Sequence, residues 1–203
     1  MPRNHVAFGA SIAALLAIFV TAGLVGGLVF PADVAVIRQF QAWRTQSPGL
    51  TQAMIALTHL GSIYATMGGG LLVALWLGFN GQRRRGFVLA LTVIGERLTV
   101  DGIKLLIDRA RPAFDVHPVV THSASFPSGH AANSMAVFLT IALVAVPQPH
   151  RRAAVAVALT MSFLIGISRC YLGVHWPSDV IAGWALGGAV ALVAARIANR
   201  EAR

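Results

Sequence analysis

The chain has 203 residues, 56% of them hydrophobic and only 11% charged, with a mean hydropathy of +0.70. Soluble domains carry roughly a quarter charged residues, which excludes an ordinary soluble domain, a disordered chain, a coiled coil and a DNA-binding domain. The net charge of +9 comes from 15 arginines and one lysine, whose placement fits membrane topology and not a nucleic-acid footprint.

Residues 4–32, 45–82 and 116–150 contain no charged side chain. A membrane span needs about 20 mostly apolar residues, so these runs predict an all-α integral membrane bundle. The first hydrophobic stretch, residues 6–30, exceeds the 7–15 residues of a signal-peptide core and reads as a retained anchor. Residues 31–53 mix Arg38, Gln39, Gln41, Arg44 and Gln46 with Val, Ile, Phe and Trp. This pattern predicts an amphipathic helix lying in the interface, within an outer interfacial segment of residues 31–61. Further spans are expected at residues 62–79, 86–107, 127–146, 153–168 and 177–195, giving six transmembrane helices in a single domain over residues 1–203. Pro127 and Pro177 suit the first turn of a helix, where a missing N–H costs little. The fifth span has only 16 uncharged residues, roughly 24 Å at 1.5 Å each, so it must take Arg152 or Arg169 near an interface.

Arginine placement sets the orientation. Arg3, the run at residues 83–85, Arg151 and Arg152, and Arg196, Arg200 and Arg203 fall on one side of a six-span plan. The positive-inside rule makes that side, with both termini, cytoplasmic. The unusual residues then sit in or beside outer loops.

Charges inside a span are costly and normally face a bundle interior or a water-filled cavity. Arg97, Asp101, Lys104, Asp108 and Arg111 recur at i, i+4, i+7, i+11 and i+14, one face of a continuous helix. Alone, this stripe is equally a structural ion ladder. Phe126-Pro127-Ser128-Gly129-His130 opens the fourth span; a helix start offers free N–H groups and a positive dipole end to an anion. There Gly129 allows close backbone approach, Ser128 adds a hydroxyl and His130 a titratable ring. His175 and Asp179 begin the sixth span, close enough for the carboxylate to hold the imidazole. Such a bond fixes the tautomer and frees the other nitrogen as base or nucleophile. Arg169 adds a planar fork suited to phosphate.

Taken together, Lys104-x6-Arg111-Pro112, Pro127-Ser128-Gly129-His130 and Ser168-Arg169-x5-His175-x3-Asp179 resemble the three-part signature of the type 2 phosphatidic acid phosphatase (PAP2) superfamily. Every signature position matches, in order, within residues 104–179. The surrounding spans resemble the membrane-bound lipid phosphate phosphatase branch. The resemblance implies that His175 attacks phosphorus to form a phosphohistidine and that Asp179 orients it. His130 protonates the leaving oxygen, while Lys104, Arg111, Arg169, Ser128 and the Gly129 N–H hold the phosphoryl oxygens. It implies no cofactor and no metal, with protein cations standing in for Mg²⁺. The expected substrates are a phosphomonoester or pyrophosphate of an isoprenoid or glycerolipid: undecaprenyl pyrophosphate first, then phosphatidylglycerophosphate or phosphatidic acid. The expected location is a bacterial plasma membrane, among membrane lipids, with the site at the outer face.

Other readings weighed are a lipid phosphotransferase of the same family, an ion or proton transporter using the intramembrane charges, and an idle membrane scaffold. The single cysteine, Cys170, excludes an internal disulfide and a thiol-based zinc cluster. His117 and His122 read as solvated loop residues, His59 as packing or interface, His5 and His150 as inner-side residues. Glu96 reads as a buried structural partner. Gly68, Gly69, Gly70, Gly183, Gly187 and Gly188 read as close helix packing. Trp176 and Tyr171 either anchor at the interface or shape the site.

Overall fold

The computed structural model describes residues 2–24, 28–121 and 123–199; His122, Arg200 and Arg203 of the readings above lie outside them. The described residues form eight helices: α1 Pro2–Leu24, α2 Pro31–Gln46, α3 Pro48–His59, α4 Ile63–Phe79, α5 Arg83–Leu106, α6 Gly129–Val144, α7 Gln148–Tyr171 and α8 Pro177–Ala198. Each of the six long apolar stretches is helical, as α1 and α4 to α8.

The most extensive helix pairing is α6 against α8, with α5 and α7 packed on α6, α1 on α8 and α4 on α5. Between apolar helices in lipid, association rests on close packing more than on the hydrophobic effect. Gly183 shows how close: a Cβ there would lie 2.7 Å from the Ser128 carbonyl oxygen and 3.0 Å from the Ala131 Cβ. Gly70 and Gly187 are similarly tight against Val93 and Ala136, whereas Gly68 and Gly69 face open space and pack against nothing. Large apolar side chains point outward around the bundle, among them Leu72, Phe79, Phe87, Leu98, Val157 and Phe163. Helices α7 and α8 are each long and apolar enough to cross a membrane, and α3 with α4, bent by 40° at their junction, pass the same test as a pair.

Two expectations are corrected. The charged stripe does not continue along one helix: α5 stops at Leu106, and Ile107 leaves helical geometry at φ −117° and ψ 86°. Asp108 and Arg111 therefore stand on the irregular segment before Pro112, which itself disfavours helix at Arg111. Pro127 lies outside the first turn of α6, which begins at Gly129 with Ser128 as its N-cap. Residues 31–61, expected in the interface, are also tied into the bundle. They form α2 and α3, which bury Asp33, Ile37, Arg44 and Thr58 against α7, α8 and the α5–α6 segment.

Local chemistry places α8. Pro177 occupies its first turn, and Asp179 at the third position accepts the Trp176 N–H at 2.9 Å, capping the helix. The preceding turn needs Gly173, whose φ of +72° strains any other residue. A Cβ there would also lie 3.2 Å from both terminal nitrogens of Arg44. That guanidinium donates to the Tyr171 carbonyl and pairs with Asp115 at 2.6 Å, pinning the end of α7 to the α5–α6 segment.

Candidate active site

The site forms where the α7–α8 turn, the first turns of α6 and α8 and the α5–α6 segment meet. His175 is 2% exposed and Asp179 fully buried. The His175 Nδ1 lies 3.5 Å from Asp179 Oδ2 and 3.4 Å from the Ser125 hydroxyl. On the ring's other side, an Arg111 terminal nitrogen sits 3.1 Å from Nε2. A guanidinium can only donate, so Nε2 is the acceptor there and the ring proton belongs on Nδ1, facing Asp179 and Ser125. Burial first, then the Arg111, Arg169 and Lys104 cations, hold His175 well below its usual pKa. Its Nε2 is therefore unprotonated at neutral pH, with its lone pair toward the Arg111 guanidinium.

Asp179 is fixed from three directions. Ser125 Oγ donates to its Oδ2 at 2.5 Å, the Trp176 N–H donates to the same oxygen, and Arg109 donates to Oδ1 at 2.5 Å. Its own carbonyl accepts the Ser128 N–H at 3.0 Å, which stitches the start of α6 to the start of α8.

Three cations surround the imidazole. Lys104 donates to the Ala124 carbonyl; Arg111 donates to the Ser123 and Val174 carbonyls at 2.9 and 2.5 Å. Arg169, 4% exposed, donates to Thr58 Oγ1 at 2.8 Å, so the end of α3 aims it. Among the described residues none of the three makes an ion pair with a carboxylate. Among the described residues three buried polar atoms in the same region, Ser128 Oγ, Arg109 Nε and Arg169 Nε, have no hydrogen-bond partner. Burying polar atoms unpaired costs about 1–3 kcal/mol each, which a ligand rich in acceptor oxygens would recover. His130 packs beside Gly61, with Arg169, His175 and Arg111 as its charged neighbours. Gly129 leaves a Cβ-sized space bounded by Val100 at 3.6 Å and Arg97 at 3.9 Å. A cleft of about 600 Å³, lined by Arg97, Asp101, Lys104, Asp108 and Ser123, opens beside Lys104.

All eight predicted site residues thus gather at one end of the bundle. The other readings resolve individually. Arg97 and Asp101 pair at 2.5 Å, the part of the stripe that is an ion ladder. Glu96 is buried, and the Asn133 amide, in its hydrogen-bonding orientation, bridges Glu96 Oε2 at 2.5 Å and the Gly129 carbonyl at 3.2 Å. Trp176 shapes the site: it is buried, donates to the Ala110 carbonyl at 2.9 Å, and carries the Arg109 guanidinium 5.9 Å from its ring centre. Tyr171 is buried as well, its hydroxyl 3.2 Å from Thr51 Oγ1. His117 bonds the Pro112 carbonyl at 2.7 Å.

Sequence reasoning missed Ser125, Arg109, Asp33 and Thr58. Two signals were available: Arg109 is a second arginine inside the Lys104-x6-Arg111 spacing, and Asp33 is the sole acid in the first 95 residues. Ser125 and Thr58 carry no signal without the fold.

Residues 85–203 match the PAP2 superfamily. Phosphatidylglycerophosphatase B of Bacillus subtilis (strain 168) is 33% identical over 70% of this chain and 72% of its own length. An undecaprenyl-diphosphatase of Sulfolobus acidocaldarius is 28% identical over 73% of this chain and 70% of its own length. The crystal structure of a transmembrane PAP2-type phosphatidylglycerolphosphate phosphatase from Bacillus subtilis superposes with a TM-score of 0.83. That pair is 29% identical and covers 91% of this chain and 94% of the other. The chain belongs to the PAP2 superfamily, and with it to the enzymes that hydrolyse lipid phosphates.

Proposed function

We propose that this protein is an integral membrane phosphatase acting on an isoprenoid or glycerolipid phosphate through a phosphohistidine at His175. The observation that carries the reading is the gathering of Lys104, Arg111 and Arg169, none ion-paired with a carboxylate among the described residues, around a His175 whose Nε2 carries no proton. A phosphomonoester brings about −1.5 to −2 charge, which three cations can balance. In the first step the Nε2 lone pair forms a bond to the terminal phosphorus as its bond to the leaving oxygen breaks, that of the lipid alcohol in a monoester or of the lipid phosphate in a pyrophosphate. A protonated His130 gives its proton to that leaving oxygen. Asp179, held by Ser125, Trp176 and Arg109, stabilises the positive ring that results. In the second step His130 takes a proton from water, whose oxygen bonds phosphorus as the P–N bond breaks and phosphate leaves. The cations, the Ser128 hydroxyl and the Gly129 N–H hold the phosphoryl oxygens throughout, so catalysis is positioning plus charge stabilisation.

The proposed topology has six spans in one domain, α1 and α4 to α8, with both termini cytoplasmic and the site at the outer face of a bacterial plasma membrane. Support comes from Arg83, Arg84 and Arg85 in the first turn of α5 and Arg151 and Arg152 near the start of α7, at the opposite ends of those helices from the His175 site. Undecaprenyl pyrophosphate, phosphatidylglycerophosphate and phosphatidic acid are the proposed substrates. The test is phosphate release by the purified protein from a panel of these lipids. Release from at least one, abolished in His175→Ala, is expected; no release from any would remove the reading.

A further inference from the structure

Asp33 belongs to α2, outside the region that matches the family, yet it reaches the proposed catalytic carboxylate through one buried guanidinium. Arg109 is 4% exposed and Asp33 3% exposed. One terminal nitrogen of Arg109 donates to Asp179 Oδ1 at 2.5 Å and to Ser178 Oγ at 2.9 Å. The other donates to Asp33 Oδ2 at 3.1 Å and to the Leu28 carbonyl at 2.6 Å. Asp33 in turn accepts the Ser178 N–H at 3.0 Å and the Ser178 hydroxyl at 2.6 Å. The same first turn of α8 is therefore gripped by a carboxylate from α2 and a cation from the α5–α6 segment.

We infer that Arg109 and Asp33 are positioning residues for the reaction: a buried carboxylate–guanidinium–carboxylate ladder, Asp33–Arg109–Asp179, that aims and charges Asp179 toward His175. The inference rests on the His175–Asp179 reading given above. A structural tether alone explains it poorly. A purely mechanical link between α2 and α8 already exists in the Asp33–Ser178 bonds and needs no cation on the far oxygen of Asp179. Breaking a buried ion pair also leaves the partner charge uncompensated, so each member is defined by the other two. Among the described residues the side-chain hydrogen bonds of Arg109 run to Ser178, Asp179, Leu28 and Asp33 and none to Arg111, Lys104 or the imidazole, so it serves the carboxylate.

The ladder makes a signed prediction. Asp179 is faced by Arg109 and Arg111 from the α5–α6 segment, Lys104 from α5, His175, Cys170 from α7 and Asp33 from α2. His130, from α6, faces His175 instead. Removing Arg109 takes away the nearest cation, so the carboxylate is lost to protonation at higher pH. Removing Asp33 takes away an opposing anion and strengthens the hold of Arg109, so the carboxylate survives to lower pH. Opposite charges at this range move such titrations by about 1–3 units.

The experiment measures kcat, KM and the pH profile of kcat/KM for the full chain in detergent with one lipid phosphate. Variants are Arg109→Leu, Arg109→Lys, Asp33→Asn and His175→Ala, with thermal midpoints alongside. In Arg109→Leu the acidic limb is expected to move up by about one unit or more. Its kcat should fall about tenfold or more at pH 7, with KM within about threefold. Arg109→Lys should lie between it and wild type. In Asp33→Asn the limb should move the opposite way, by a smaller amount. Because the substrate is the same, its own ionisation cancels between variants. If Arg109→Leu does not fold, the isosteric Asp33→Asn and the cation-keeping Arg109→Lys still decide. An unmoved limb in both, or displacement in one direction in all variants, overturns the ladder. Retained turnover in His175→Ala would overturn the catalytic reading itself, whichever way the limbs move.

Discussion

Ser125→Ala is the cleanest perturbation of the proposed nucleophile's support. The hydroxyl is fully buried, donates to Asp179 Oδ2 at 2.5 Å and stands 3.4 Å from His175 Nδ1. Its loss removes one charge-assisted bond from a carboxylate that keeps the Trp176 N–H at 2.9 Å and Arg109 at 2.5 Å. Hydrogen bonds to charged groups contribute about 1.5–3 kcal/mol, and the two remaining donors put the loss near the lower figure. With 1.4 kcal/mol per factor of ten, kcat should fall about tenfold. Ser125 bonds none of the side chains of Lys104, Arg111 and Arg169, so KM should stay within about twofold of wild type. The assay is initial-rate phosphate release in mixed micelles, with the thermal midpoint of each variant measured in parallel. A folded Ser125→Ala protein with unchanged kcat would refute the claim that the hydroxyl orients Asp179. A raised KM at constant kcat would move Ser125 to the phosphate.

Activity should persist in excess chelator, because the anion is met by Lys104, Arg111 and Arg169; complete loss in EDTA, restored by Mg²⁺ or Zn²⁺, would contradict this. His175 also predicts a pH dependence of stability. The unfolded ring binds a proton near pH 6.5, whereas the folded ring, held lower by burial and three cations, refuses it. The unfolded state then binds more protons, so stability falls as pH drops below about 6.5, by up to about 2 kcal/mol at pH 5. The thermal midpoint should drop between pH 7 and 5 by less in His175→Asn than in wild type; equal drops would contradict the assignment. A cysteine replacing His117, in a Cys170→Ala background, should react with an impermeant thiol reagent added outside intact cells. Labelling only after the membrane is opened would invert the proposed topology.

The parts of this protein that the sequence made legible share a local cause. Uncharged runs report helices directly, and Pro177 followed by Asp179 marks the start of α8 through capping chemistry confined to four residues. The eight candidate site residues could be picked out because their spacing is itself the pattern. What stayed hidden depends on chain segments far apart in sequence. Arg169 is aimed by Thr58, 111 positions away, and Arg109 is paired with Asp33, 76 positions away. Helical periodicity carried too far also misplaced Asp108 and Arg111, since the pattern of charges continues after α5 has ended. The tertiary bonds of residues 31–53 stayed hidden for a related reason. Polar side chains such as Asp33 and Arg44 look solvent-facing until the partners that bury them, Arg109 and Asp115, are known.

The central claim is that His175 takes the phosphoryl group. The measurement is rapid mixing of the enzyme with a lipid phosphate labelled in its phosphate, quenched in alkali to preserve a phosphoramidate, followed by peptide mass analysis. Phosphate on His175, formed before free phosphate appears and absent in His175→Ala, is the predicted result. Turnover with no labelled His175 at any time, or with the label on another side chain, would contradict the account.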